Sequence, residues 1–334
     1  MKQNEITRPV PCLNADGAVA EPGWSRSAMY VYDRAAVRAH PARVKEWDFY
    51  QISDSRYTIQ ATFADISLGG AGSFAIFDRE TGEKYEAAAV RLLTFGSMSP
   101  GNTDEGDRTL RVTRGGFDMR LDVRGDVRTL TLDSPKLSAR IVMQVPQPNE
   151  FLMMAVPFRQ KNRFYLNKKM NCIPAAGYVR AAGRVIPLGG DAFCVLDWGR
   201  GAWPYHETWY WGNGSAYLAD GTRFGFELGW GFGEMNDFTE NTLFYDGIAH
   251  KLGRVSLKKD GWTDPWVFSE EDGRFEMTMT PTYDNYTSSR VLGLVGNRCH
   301  QVFGLWSGVV TLDDGKRLEI RDMTAFCECS DNRW

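Results

Sequence analysis

Six turn signals punctuate this chain: Thr81-Gly82, Gly125-Asp126, Asp220-Gly221, Asp246-Gly247, Asp272-Gly273 and Asp314-Gly315, each between short runs rich in Val, Ile, Leu, Phe, Tyr and Thr. Turn residues of this kind between β-forming runs are the signature of antiparallel hairpins. Within the runs polarity alternates with period two, as in Arg56-Tyr57-Thr58-Ile59-Gln60-Ala61-Thr62-Phe63 and Arg274-Phe275-Glu276-Met277-Thr278-Met279. Each strand is therefore expected to have one buried and one wetter face. Helical periodicity is nearly absent; Asp33 to Glu46 reads as a short helix that Pro41 breaks.

A chain of 334 residues exceeds what most single cores hold, which favours two packed halves. A faint internal repeat agrees. EWDFYQISDSRYTIQATFADISLGG from Glu46 and TWYWGNGSAYLADGTRFGFELGWGFG from Thr208 both run aromatic strand, polar turn, alternating strand, Gly-rich exit. Pro146, Pro148, Pro157 and Pro174 mark a crossing stretch, so the expected organisation is an N-terminal extension over 1–45 with the short helix, a first barrel over 46–160, and joining strands with a second barrel over 161–334. Closing each sheet into a barrel removes its edges, and a small barrel has room for one small ligand.

Formal charge is -3 with a pI of about 5.9 and scattered Lys and Arg, which excludes the basic footprint of a nucleic-acid binder. No apolar run has the length of a membrane span, and MKQNEITRPVPCLN lacks an apolar secretion core; the expectation is a cytoplasmic protein with no membrane span. The six cysteines, Cys12, Cys172, Cys194, Cys299, Cys327 and Cys329, are dispersed apart from the last pair, so free thiols are expected. Cys299-His300 are adjacent and point to opposite faces of a strand, which argues against a zinc site with Cys327 and Cys329. Neither a metal nor a cofactor is expected.

Most of the candidate chemistry lies in FCVLDWGRGAWPYHETWYWGNGS, residues 193–215, where an apolar strand delivers Asp197 into a segment with Trp198, Trp203, Trp209 and Trp211. Ligand cavities are mostly apolar with a few placed polar groups. Asp197 enclosed by Trp198, Trp203 and Trp209 is the candidate general acid, because desolvation favours a neutral carboxyl; paired with Arg200 it is instead a structural anion. His206, beside Tyr205, is a candidate proton shuttle. Glu240 and Asn241 follow the glycine-rich exit Gly229, Gly231 and Gly233 and suit a loop over the cavity mouth. Trp47 and Tyr50 are expected to line the cavity from the first half, and His300 faces inward from a strand. Asp65, in mid-strand, needs a partner such as Arg163 or Lys168. The Gly-x-Gly-x-Gly at 229–233 lacks the helix and the Lys and Ser/Thr of a phosphate loop.

Two resemblances follow. FYLNKKMNCIPAAGYVRAAGRVIPLGGDAFCVLDWGRG, residues 164–201, is similar to the joining segment of the carotenoid 1,2-hydratase and AttH-like proteins. Across nearly the whole chain, PGWSRS at 22–27, KEWDFYQI at 45–52, DWGRGAWPY at 197–205, ENTLFYDGIAHKL at 240–252, FGLWSG at 303–308, and Glu328 with Asn332-Arg333-Trp334 resemble the DUF2804 family. The resemblance implies an all-β fold of two lipocalin-like (calycin) barrels with a ligand cavity between or inside them. In the hydratase-like proteins the Asp ending that strand is the proposed proton donor to an alkene, a position matched here by Asp197. The sequence departs from that pattern in WGRGAWPYHETW.

Three function classes fit. The first is cofactor-independent acid/base chemistry on a hydrophobic, isoprenoid- or polyketide-like molecule: hydration, cyclisation or isomerisation. The second is a non-catalytic carrier of a hydrophobic or aromatic-stacking ligand. The third is a carbohydrate-active hydrolase or lyase using paired carboxylates such as Asp197 with Glu240 or Glu207.

Overall fold

The computed structural model describes residues 3–291 and 295–334. All six turn signals fall between neighbouring strands that pair antiparallel. The helix expected over Asp33 to Glu46 is absent. Arg34–Ala36 and Pro41–Arg43 form two isolated 3-10 turns, and Val44 already begins a strand. His40 Nδ1 caps the second turn, whose first residue is Pro41, so the helix cannot run through.

Two large sheets carry the chain. The first meanders through Val44–Ser53, Tyr57–Asp65, Gly69–Asp78 and Lys84–Leu92, resumes at Arg108–Arg114, Phe117–Arg124, Val127–Asp133 and Leu137–Gln144, and ends with Phe164–Ala181 and Phe193–Ala202. Its last strand pairs with its first along the full ten residues. The second sheet repeats the plan: His206–Tyr217, Arg223–Trp230, Thr242–Tyr245 and Ile248–Lys251, then Val255–Lys258, Trp266–Glu270, Phe275–Val291, Val295–Thr311 and Arg317–Arg333, which returns to pair with His206–Tyr217.

Both are rings closed first strand to last, with one seam between the fourth and fifth strands. In the first ring the Arg114 guanidinium crosses the seam to the Val90 carbonyl. In the second, Arg274 Nη1 donates to Lys251 O at 2.9 Å. The two segments of the faint repeat are the opening hairpins of the two rings. Phe164–Ala181 and Phe193–Ala202, expected to join the halves, belong to the first ring, so the boundary falls after Ala202 rather than near residue 160.

Alternation fills both interiors. Tyr50, Ile52, Phe74, Leu121, Ile141 and Leu196 pack inside the first ring, and Phe226, Trp266, Phe268, Phe275, Val302 and Trp306 inside the second. Truncating such an aromatic to alanine costs about 3–5 kcal/mol. Large open space lies instead between the convex outer faces of the rings. A register shift between Met170 and Ile173 lets Asn171 project from the first ring and donate to Phe226 O of the second at 2.9 Å. Among the described residues no helix is long and apolar enough to cross a membrane.

Candidate functional site

Three adjacent strands of the first ring set the site. Phe49, Asp197 and Lys169 form one cross-strand row, and Asp48, Trp198 and Lys168 the next. Because strand side chains alternate, the first row faces the second barrel and the second row faces the first barrel's interior.

Lys169 is buried and gathers carboxylates: Asp197 Oδ1 at 3.0 Å, Glu240 Oε1 at 3.5 Å and Glu227 Oε1 at 3.9 Å. Its Nζ also lies 4.0 Å from the centre of the Trp211 ring. Burial pulls the ammonium pKa down, but Asp197, Glu240 and Glu227 outweigh it and hold the pKa well above the usual lysine range. The acids respond oppositely. Burial pushes Glu227 well above the ordinary carboxyl range, with the neighbouring Glu240 adding to the push and Lys169 opposing it. Glu240 is likewise raised, by burial first and then by the charge of Asp197, again against Lys169. The Lys169 ammonium offsets only part of this burial, so the neutral forms of Glu227 and Glu240 are favoured more than in an exposed glutamate.

The walls are aromatic and keyed by two of these acids and by Glu328. Trp47 Nε1 donates to Asp197 Oδ2 at 3.3 Å, Trp209 Nε1 to Glu328 Oε1 at 3.0 Å, and Trp211 Nε1 to Glu227. Trp203 sits among Trp47, Phe232 and Trp334 at centroid distances of 4.8, 4.7 and 5.1 Å. Two glycines make room. A Cβ on Gly199 would overlap the Trp47 ring, and one on Gly229 would overlap the Glu240 carboxyl. The resulting cleft encloses about 620 Å³, the size of a small-molecule site. Its other end is lined by amides: Gln301 Nε2 donates to Glu328 Oε2 at 3.0 Å, and Gln301 Oε1 accepts from Gln60 at 3.1 Å and Asn285 at 2.9 Å. Burial raises the Glu328 pKa.

Of the residues singled out from sequence, Trp47, Asp197, Trp203, Trp209, Trp211 and Glu240 line this cleft. The others lie elsewhere. Trp198 and Arg200 face the first barrel's interior, where Arg200 stacks 4.1 Å over Trp198, binds Asp48 Oδ1 at 2.9 Å and donates to the carbonyls of Gly101, Trp47 and Gly199. Asp197 therefore pairs with Lys169, not Arg200, and Trp198 does not enclose it. Tyr50 is core of the first barrel. His206 is on the exposed rim, 3.0 Å from Asp331, next to a half-exposed Tyr205 lying under the Arg43 guanidinium. Asn241 is buried as a brace, accepting from Gly229 N at 3.0 Å and donating to Gly253 O at 2.8 Å. His300 stacks on Trp262 at 3.7 Å and contacts Asp284 at 2.7 Å, on the opposite face of its strand from the cleft. Asp65 is held by the backbone N–H groups of Ser67, Gly96 and Met98, not by Arg163 or Lys168.

Sequence reasoning missed Lys169 and Glu227. The signal was present, since Lys168-Lys169 and Glu227 interrupt otherwise apolar strands and buried charges need partners. All six cysteines carry free thiols. Among the described residues, Glu270, Glu271 and Asp272 are grouped closely enough to share a cation, but none lines the cleft, and Glu270 already accepts from the backbone of Gly253, Asp272 and Arg274.

The profile of the family described as "Domain of unknown function (DUF2804)" matches residues 3–334. Two solved structures share the fold. A Nitrosomonas europaea protein assigned as AttH is 15% identical with a TM-score of 0.50, over 87% of this chain and 93% of that one. Kievitone hydratase from Nectria haematococca is 11% identical with a TM-score of 0.51, over 87% and 88%. Both are double lipocalin-like folds, as is this one. No curated protein matches the chain.

Proposed function

The chain belongs to the DUF2804 family, and on that premise we propose that it binds a hydrophobic small molecule in the cleft between its barrels and performs cofactor-independent acid/base chemistry on it. The observation that carries this reading is Glu240, a buried carboxyl with a raised pKa that opens onto an aromatic-walled cleft. Burial disfavours the charged form of such a group, which suits it to deliver a proton where charge develops. The general-acid role expected for Asp197 therefore passes to Glu240, and Asp197, the closest partner of Lys169, serves as the anion of the pair.

For a hydration, Glu240 protonates the alkene, and the carbocation forms against the tryptophan faces, each worth about 0.5–2 kcal/mol. Water adds to the cation and its extra proton goes to Asp197. The Lys169 ammonium touches both carboxyls and returns that proton to Glu240. Loss of a proton from the cation to Asp197 in place of water capture gives isomerisation, and capture by a second alkene of the same molecule, followed by loss of a proton from the new cation to Asp197, gives cyclisation.

The test is incubation with a panel of prenylated phenols and isoprenoid alcohols in deuterated water, read by mass spectrometry. Addition of one water, or deuterium exchange at carbon, is expected with the wild type and not with Glu240→Gln, while quenching of tryptophan fluorescence by the same compound persists in both. Quenching without chemistry in the wild type assigns the protein as a carrier. A carbohydrate-active enzyme is the second reading, favoured by the amide-lined end formed by Gln60, Asn285 and Gln301. It requires release of a reducing sugar from a glycoside.

A further inference from the structure

We propose that the tip ending the Lys84–Leu92 strand is a docking surface for an anionic lipid membrane. Leu92 is 80% exposed, Leu93 65%, Val90 49% and Phe95 47%, and Leu68 beside them is 38% exposed. Scattered surface apolar residues need no explanation, but a contiguous group of them marks an interaction site. These residues are contiguous, because Leu93 N donates to Leu68 O at 2.9 Å and Phe95 N to Ser67 O at 3.0 Å.

The backbone makes the case specific. Leu93 has φ 55° and Phe95 φ 45°, a left-handed conformation that suits Asn or Gly and that bulky side chains rarely adopt. Neither side chain recovers that strain by packing in a core. The tip is nevertheless rigidly built: the Asp65 carboxylate accepts from Gly96 N at 2.9 Å and Met98 N at 3.0 Å and clamps the turn that follows. A strained, clamped turn that points leucines and a phenylalanine into water is accounted for by an apolar medium that receives them.

Charge selects the occupant. Arg91 and Arg114 are both exposed and flank the apolar residues, Arg114 with its guanidinium on the Val90 carbonyl. A second copy docking through this patch would bring arginine against arginine, whereas anionic headgroups neutralise both, and apolar residues with a basic collar are the composition of interfacial membrane binding. The same strand lines the ligand cleft with Lys84, Glu86 and Ala88, so a membrane-held tip would set the cleft about one strand length from the lipid surface.

The experiment is co-sedimentation with phosphatidylcholine vesicles, pure or containing phosphatidylglycerol, and it reads lipid binding independently of any turnover. The wild type should sediment with the mixed vesicles, less so as salt is raised. The triple variant Leu92→Ser, Leu93→Asn, Phe95→Asn should lose at least about tenfold in vesicle affinity. Its melting temperature should hold or rise, since Asn relieves the two left-handed positions. Arg91→Glu should weaken binding to the mixed vesicles more than to pure phosphatidylcholine. A wild type that stays in the supernatant with both vesicles overturns the proposal. So does a folded triple variant that sediments like the wild type, or a wild-type dimer that the triple variant converts to monomer without lipid present.

Discussion

Lys168 and Lys169 are consecutive residues on one strand, both buried, and they sit in opposite electrostatic settings. Lys168 points into the first barrel, where it meets Asp104 at 3.1 Å and Glu105; Arg128 approaches Asp104 at 3.5 Å, while Asp48 takes Arg200 at 2.9 Å and Arg108. There four cations face three acids. Burial pushes the Asp104 pKa up, but Lys168, Arg128 and Arg108 override it and hold the carboxyl below its usual range. Lys169 points into the cleft, where its own ammonium meets three acids, Asp197, Glu227 and Glu240, and both glutamates are raised. Burial is common to both. The local count of charges decides whether a buried carboxyl is a permanent clamp or a proton store.

The largest stability change that probes this contrast is Asp48→Ala, which strands the guanidiniums of Arg108 and Arg200 inside the first barrel. It should cost about 3–5 kcal/mol in urea unfolding; a loss below about 1 kcal/mol would break the comparison, since ordinary surface changes fall in that range.

Lys169→Met should cost less, about 1–3 kcal/mol at neutral pH, because burial already favours the neutral forms of Glu227 and Glu240, which need no counter-ion. The sign with pH is fixed. A carboxyl whose folded pKa is raised contributes stability below its unfolded pKa and loses it as pH rises through the folded one. Removing Lys169 raises both glutamates further, so the melting temperature of the variant should fall more steeply than that of wild type from mildly acidic to mildly alkaline pH. Parallel curves would show that the cluster is as fixed as its neighbour.

Glu240→Gln should change stability by less than about 1 kcal/mol at neutral pH, with the variant gaining on wild type as pH rises, since it removes a group whose contribution fades there. Turnover should meanwhile fall by about 10²–10⁴. Differential scanning calorimetry across pH and a rate on any active compound sharpen the contrast together: a proton store is removed at little structural cost.

The smallest change is expected at His206→Ala. The exposed His206–Asp331 pair holds the Asp331 carboxyl below its usual range by a hydrogen bond from the imidazole, and such pairs contribute about 0–1 kcal/mol. Thermal melts and cleft-ligand quenching should both be nearly unchanged; lost turnover in a folded variant would return His206 to the chemistry.

Hairpins were legible in the sequence because turn chemistry is local, and Asp246-Gly247 between Tyr245 and Ile248 needs no distant information to be read. The boundary between the barrels was not, because Phe193–Ala202 pairs with Val44–Ser53 across most of the first ring, and no local pattern encodes that register. The cleft residues Asp197, Trp203, Trp209, Trp211 and Glu240 were legible as aromatic and acidic types in glycine-rich segments, and Trp47 as an aromatic of the opening strand of the first half. Arg200 and Trp198 were misassigned although the period of two already places them opposite Asp197, on the face shared with Leu196. Glu227 was overlooked because a lone acid in RFGFELGW pairs with a lysine from the other barrel, a contact that exists only once both rings have formed.

Each ring is shut by its first and last strands, and those same strands carry much of the cleft: Trp47, Asp197, Trp203 just beyond the first closure, and Trp209, Trp211, Glu328 and Trp334 at the second. Folding must bring together segments separated by most of a domain, a slow kind of search, before any of the wall exists. A chain that has formed every hairpin but joined neither ring would show nearly its full β content by circular dichroism and still have no binding site. For this protein, ligand binding would therefore serve as a readout of topological completion that spectroscopy of secondary structure misses, and it should be the last native property to appear on refolding and the first to disappear when either ring is pried open.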